Sequence, residues 1–395
     1  MGDLLAAIIL LSGAPLSSTP PYEMRGLWVV RTALVSPASV DRVVDEAHAA
    51  GFNALFVQVR GRGDAFYDSA IVPRSVLLAN QPRGFDPFGR LVERARARGL
   101  EVHAWVNVLL AAHFGQPLQR GHVLARHPDW VMVPRSVARS AVGASPRERL
   151  RLVQGTRGEG DVEGFYLSPS APGVADHLEK VVYELVRAYP VDGLHLDFIR
   201  YPGPEYDHSR AALEGFKRRQ TRRHLFEAPA REPEAWSDYR RDVLTSLAER
   251  LSGAARGARR GTLVSAAVVP DEALAVAHRY QDWPAWAERR ILDAVCPMVY
   301  TPDARLFRWQ VESIRERIAG RQPVWAGVGA YRLPLEGTIE RIRTARESGA
   351  SGVLVFSHES LSPSDLRRLR AEAFPAFTAG PARTPAGDGA EDGPR

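Results

Sequence analysis

Eight short β-branched runs, each followed by a segment of helical period, set the tightest limit on what this chain can fold into. The predicted strands are Arg25–Thr32, Asn53–Arg60, Glu101–Asn107, Gly193–Asp197, Leu263–Val269, Ala294–Tyr300, Val324–Gly327 and Val353–Ser357. Between them apolar residues recur at helical spacing, as in Val40, Val43, Val44 and Ala47, or Phe88, Leu91, Val92 and Ala95. The clearest stripe is Leu178, Val181, Val182, Leu185, Val186 and Tyr189. Gly51, Gly99 and Gly349 each stand just before a strand, where a helix C-terminus favours a left-handed residue. This is the arithmetic of an α/β fold of the (β/α)8 TIM barrel type, which needs about 250 residues plus insertions. A doubly wound sheet is the alternative. It normally opens on a Gly-rich turn, and Gly61-Arg62-Gly63-Asp64 lacks the helix-opening glycine.

Composition removes several chemistries. A lone cysteine, Cys296, excludes an intrachain disulfide and a Cys-rich zinc site. Among 52 basic residues only Lys180 and Lys217 are lysines, and neither lies in an apolar strand, which argues against Schiff-base and P-loop chemistry. The formal charge of +6 points mildly to anionic partners, although arginines are spread along the whole chain. The apolar run Leu4–Leu11, followed by a small-residue and Pro-rich stretch, reads as a signal peptide over residues 1–20. Its n-region carries Asp3 and no basic residue. Export to the periplasm or medium is therefore expected, with no stable membrane span. The barrel is expected over residues 22–375, and residues 376–395 read as a disordered tail.

Two long loops, after the third and fourth strands, fall on the same predicted rim. The first, from Val108 to about Gly173, holds Trp130-Val131-Met132-Val133. Its Arg-rich stretch from Val133 to Gly160 is expected to be mobile and dispensable for folding. The second, from Arg200 to about Glu232, carries Arg218, Arg219, Arg222 and Arg223. If both border a groove, they favour an anionic glycan.

Alternation along the strands selects the side chains that enter the barrel. Gly193, His195 and Asp197 face in, as do Phe56, Gln58 and Arg60, then His103, Trp105 and Asn107, then Cys296, Met298 and Tyr300. The first strand is ambiguous, since both its faces are apolar. An Asp at the last position of a barrel strand is costly to bury without a task. The competing reading is an ion pair of Asp197 with Arg60 or Arg200 that only closes the barrel. Trp105, Tyr300 and Trp325, with Tyr67, Trp130, Tyr166 and Tyr201 on loops, offer flat faces for stacking on sugar rings. Glycoside hydrolysis needs two carboxyls. Asp197 is the first, and Asp271 or Glu272, Asp303, Glu359 and Asp64 are candidates for the second; alternation does not choose among them.

These residues stand in an ordered set: Met24 to Val29, Phe56 to Arg60 with Gly63-Asp64-Ala65 and Tyr67, Gly99 to Asn107, His127 to Val131, and Asp192 to Asp197 followed by Arg200-Tyr201-Pro202. Tyr280 to Trp283 and Pro297 to Tyr300 extend it. The set resembles the glycosyl hydrolase-like 10 family over roughly Tyr22 to Leu361. The resemblance implies a TIM-barrel glycosidase-like domain, often exported in bacteria, with some members tied to peptidoglycan glycan strands. Many relatives carry a second acid directly after the residue matching Asp197. This chain has Phe198 there.

The leading expectation is a glycoside hydrolase of a cell-wall or extracellular polysaccharide, with Arg60, Asp64, His103, Trp105, Asn107, His195, Arg200, Tyr201, Tyr300 and Trp325 binding substrate. No cofactor, metal or nucleic acid is expected. The alternatives are a non-catalytic glycan-binding barrel, or a metal-dependent hydrolase on His103, His195 and Asp197. The first strand has no HxH pair for the latter, and no GxSxG elbow supports a serine esterase.

Overall fold

All eight predicted runs become strands of one closed parallel barrel. The computed structural model describes residues 22–160, 162–222 and 233–375. The expected signal segment, the tail and Arg223 lie outside the described residues. In chain order the strands are β1 (Met24–Val29), β2 (Ala54–Arg60), β3 (Glu101–Asn107), β4 (Leu110–His113), β5 (Gly164–Tyr166), β6 (Gly193–Asp197), β7 (Leu263–Val268), β8 (Ala294–Val299), β9 (Trp325–Gly329) and β10 (Gly352–Phe356). The barrel runs β1-β2-β3-β6-β7-β8-β9-β10 and closes on β1, while β4 and β5 form a separate antiparallel pair. Among the described residues no helix is long and apolar enough to cross a membrane.

Two apolar layers hold the fold. Outward residues such as Leu55, Val57, Leu194 and Leu196 pack under the helical stripes, and Val40, Val43, Leu178, Val182 and Leu185 are all buried there. The barrel interior is a second cluster, built from Met24, Trp28, Ala54, Phe56, Trp105, Cys296, Trp325 and Leu354. That cluster settles β1: Met24 and Trp28 point inward. Both faces of β1 looked apolar because the lower barrel interior is itself a hydrophobic core.

The insertion after β3 carries more structure than its composition suggested. Ser145 and Glu148 form a reciprocal capping box at the start of the helix Pro146–Gly155, whose Val153 is buried. A proline in the first turn and the Ser-x-x-Glu spacing start this helix, and Val153 docks it with Leu150 and Leu152 partly buried beside it. The Arg-rich stretch expected to be mobile and dispensable for folding thus contains a capped helix. Likewise, the second insertion forms the helix Arg210–Arg222.

Candidate active site

The site grows from the three inward positions of β6, which lie at three heights in the barrel. Gly193 is lowest, and it is glycine because a Cβ there would lie 2.1 Å from His103 Nδ1. In the middle, Trp28 Nε1 donates to His195 Nε2 at 3.2 Å. The proton of the neutral ring therefore sits on Nδ1, which donates to Ser265 Oγ at 2.9 Å. Burial, with the His103 ring as a lesser influence, pushes the pKa of His195 down to about 3.

Asp197 is the top position, and its side chain is only 9% exposed. Phe198 follows it with φ of 49°, a left-handed conformation rare for a bulky residue and a mark of local strain. That turn brings the Phe198 N–H back to Asp197 Oδ1 at 2.6 Å, and Arg200 Nη1 donates to the same oxygen at 2.9 Å. Oδ2 has no hydrogen-bond partner among the described residues. The Arg200 guanidinium lies 4.3 Å from the centre of the Phe198 ring. The residue after Asp197 is thus a platform for the arginine that holds it.

Asn107 pairs in register with Asp197. It accepts from Trp105 Nε1 at 2.8 Å and from Gln58 Nε2 at 3.4 Å, and it donates to the Gly61 carbonyl at 2.9 Å. Arg31 in turn donates to Gln58 Oε1 at 2.7 Å. On the far side Tyr300 stacks against Phe356 with ring centres 5.5 Å apart, and Tyr331 meets Tyr300 at 5.9 Å. Burial and the Asp197 charge raise the Tyr300 hydroxyl well above its ordinary pKa, so it is a proton donor facing that carboxylate. Tyr331 is half exposed and extends the aromatic wall over the rim.

The insertion after β3 is bonded to the end of β6. Val108 N–H donates to the Asp197 carbonyl at 2.7 Å, Leu109 N–H to the Phe198 carbonyl at 3.2 Å, and Leu167 N–H to the Leu109 carbonyl at 2.8 Å. Tyr166 of β5 then meets Phe198, ring centres 6.2 Å apart. Glu163, just before β5, stands exposed within electrostatic reach of Asp197, Arg200, Arg62 and Arg279. Partial desolvation raises its pKa, the Asp197 charge adds to the rise, and Arg200 opposes it. A groove of about 430 Å³ lies between the two insertions, lined by Pro134, Val162, Pro202, Tyr206 and Arg279 among others.

Several expected site residues are placed elsewhere. His103 is fully buried low in the barrel, stacked on Phe56 at 4.3 Å, and Trp325, the first residue of β9, packs beside it at 5.8 Å. Both face inward but belong to the barrel floor. His195 is fully buried too, and its ring nitrogens are committed to Trp28 and Ser265, which leaves neither histidine placed to ligate a metal with Asp197. A register shift after Gln58 takes Arg60 out of alternation, and its guanidinium holds the Asn107 and Val108 carbonyls instead. Tyr201 is fully buried against Tyr280, 5.2 Å away. Tyr67 and Trp130 are buried as well, Trp130 stacked on His127 at 4.0 Å.

The expected second carboxyls have local duties. Asp271 caps the helix Glu272–His278 through the Leu274 N–H, and Glu272 pairs with Arg317. Asp303 caps the helix Ala304–Ile318 through the Arg305 and Leu306 N–H groups. Asp64 accepts from the Arg62 N–H, and Glu359 accepts from Thr32 Oγ1 at 3.3 Å. Glu163 and Tyr331 escaped the sequence reading. Tyr331 could have been found, since it lies two residues past β9, but the strand was ended early at Gly327.

A search of curated proteins finds glycosyl hydrolase DigH of Escherichia coli K12, 24% identical over 387 residues, covering 82% of this chain and 79% of that protein. Glycosyl hydrolase YngK of Bacillus subtilis is 29% identical over 167 residues, 41% of this chain and 28% of that protein. Among solved structures, the PgaB (BpsB) glycoside hydrolase domain of Bordetella bronchiseptica aligns over 90% of this chain and all of that one, with a TM-score of 0.67 and 16% identity. An alpha-L-fucosidase from Paenibacillus thiaminolyticus aligns over 89% of this chain and 49% of that one, with a TM-score of 0.60 and 14% identity. At these identities the structures speak for the glycosidase-type barrel alone. The family model of glycosyl hydrolase-like 10 matches residues 23–334, spanning the barrel from β1 past β9, and the chain belongs to that family.

Proposed function

We propose that the chain is a glycoside hydrolase acting on a cell-wall or other extracellular polysaccharide, with peptidoglycan glycan strands the favoured substrate. The observation that carries this reading is Asp197. It is a carboxylate at the end of β6 with Oδ1 fixed by two donors and Oδ2 uncommitted, under an aromatic wall and beside a groove. A carboxylate so held can attack the anomeric carbon or take a proton from an attacking water, while a second carboxyl protonates the leaving oxygen. The Trp28–His195–Ser265 chain and the Asn107 network keep β1, β3, β6 and β7 in fixed relation beneath it. Such positioning is what aligns reacting atoms.

A preference for acidic glycans rests on different arginines from those first expected. In the second insertion Arg219 pairs with Asp242, and Arg218 and Arg210 pair with Glu214. At the rim, by contrast, Arg31 and Arg62 are held by the neutral amides of Gln58 and Gln116 at 2.7 and 3.2 Å, with the Asp64 charge acting on both. Burial, then the charges of Arg62 and Arg31, lowers the pKa of the neighbouring His113. Export, expected from the Leu4–Leu11 run, brings the protein to such a substrate.

Purified protein is incubated with sacculi, denuded glycan strands and neutral plant polysaccharides, and new reducing ends are measured. Release from denuded strands is the expected result. Retention of strands without release would instead make the chain a non-catalytic glycan-binding barrel.

A further inference from the structure

Resting on the glycosidase reading above, we propose that Glu163 is the second catalytic carboxyl, the acid that protonates the glycosidic oxygen while Asp197 acts on the anomeric carbon. The geometry is a short relay of contacts. Asp197 binds Arg200, Arg200 covers Phe198, Phe198 meets Tyr166, and Tyr166 lies in the short strand that Glu163 leads into. That strand is fixed from both sides. Gly164 pairs with His113 in β4, and the segment between β3 and β4 is bonded to the Asp197 and Phe198 carbonyls. Glu163 thus leads into a strand tied through β4 to the backbone at Asp197 and Phe198.

Among the carboxyls near the rim, Glu163 differs from Asp64, Asp271, Asp303 and Glu359 in having no hydrogen bond or ion pair among the described residues. Each of the others is engaged by a backbone N–H or a hydroxyl. Glu163 also has the environment an acid needs. Desolvation raises its pKa, Arg200 opposes the rise, the Asp197 charge adds to it, and Arg62 and Arg279 limit it.

In the step itself the Oε–H bond of Glu163 breaks and an O–H bond forms on the leaving oxygen. The C1–O bond breaks, and its electron pair stays with that oxygen. Asp197 Oδ2 supplies the new bond to C1 directly, or removes the proton of a water whose oxygen forms it. In the first case the ionised Glu163 then deprotonates the water that releases the sugar. In the second, the proton on Asp197 returns to Glu163 through solvent.

The test compares wild type, Glu163→Gln, Glu163→Ala and Asp197→Asn on denuded peptidoglycan glycan strands, reading kcat against pH, strand binding and the thermal melt. Glu163 is exposed, so its substitution is expected to leave the melt and strand binding unchanged. Loss of general acid catalysis should lower kcat by about 10²–10⁴-fold and flatten the alkaline limb of the profile. Azide should partly restore turnover to Glu163→Ala if the intermediate is covalent. If Glu163→Gln keeps kcat within threefold and keeps the alkaline limb, while Asp197→Asn is inactive, the assignment of Glu163 is overturned and the glycosidase reading stands. If wild type releases no reducing ends from strands it binds, both fall.

Discussion

The backbone N–H of Val108 donates to the carbonyl of Asp197 at 2.7 Å, so the segment leaving the third barrel strand is bonded to the residue at the centre of the site. Leu109 repeats the contact one residue on, at the Phe198 carbonyl. The start of a long insertion is thereby fixed to the strand end that carries the carboxylate. Amide exchange tests this. Val108 and Leu109 are expected to exchange as slowly as the β6 amides, because their opening requires the barrel edge to open. Exchange at the rate of a free loop would show that the insertion moves on its own.

The close approach at Gly193 makes a sharp stability test. Gly193→Ala places a methyl 2.1 Å from His103 Nδ1 inside a packed barrel, and both neighbours are fully buried. Overpacking of this kind costs about 1–3 kcal/mol. A drop of a few degrees in melting temperature is expected, and an unchanged melt would mean that His103 has room to move.

Acid lability should trace to neutral histidines. The pKa of His195 lies at about 3 in the fold, below its ordinary value, so the fold binds fewer protons than the unfolded chain as pH falls. Its contribution is complete above about pH 6.5 and is lost progressively toward pH 3, by up to about 1.4 kcal/mol per pH unit. His177 and His208, both pushed down to about 4 mainly by burial, act in the same direction. Denaturant titrations at pH 7, 5.5 and 4.5 should show a shallower acid slope for His195→Gln than for wild type. Equal slopes would remove His195 from the account.

Arg200 is expected to matter for both stability and chemistry. Arg200→Met leaves Asp197 without its 2.9 Å partner in a largely buried setting, and breaking such a pair costs about 3–5 kcal/mol. Asp197 Oδ1 also loses one of its two fixing donors, so kcat is expected to fall while strand binding is kept. A kcat that holds per folded molecule while stability falls would reduce Arg200 to a structural role.

Strand alternation made most of the barrel legible before any coordinates. The β3 and β6 boundaries, and the inward facing of Trp105, Asn107, His195 and Asp197, follow from a period of two. Alternation gives facing but not height, and this is why His103 and Trp325 were grouped with the rim although they sit on the floor. Arg60 misled for another reason: one register shift beside Gln58 moves it off the inward face. Glu163 was illegible because its position depends on β5 pairing with β4 across a long insertion, a contact with no local sequence period. Capping boxes were within reach, and reading Ser145-x-x-Glu148 as one would have ordered the Arg-rich stretch.

The most direct measurement is hydrolysis of denuded glycan strands by Asp197→Asn, with wild type alongside and the melt of both recorded. The account predicts that reducing-end release falls by several orders of magnitude, while the melting temperature stays near that of wild type and strands are still bound. A variant that keeps wild-type activity per folded molecule but loses its cooperative melt would contradict it, and would make the Asp197–Arg200 pair a closure of the barrel rather than the centre of a reaction.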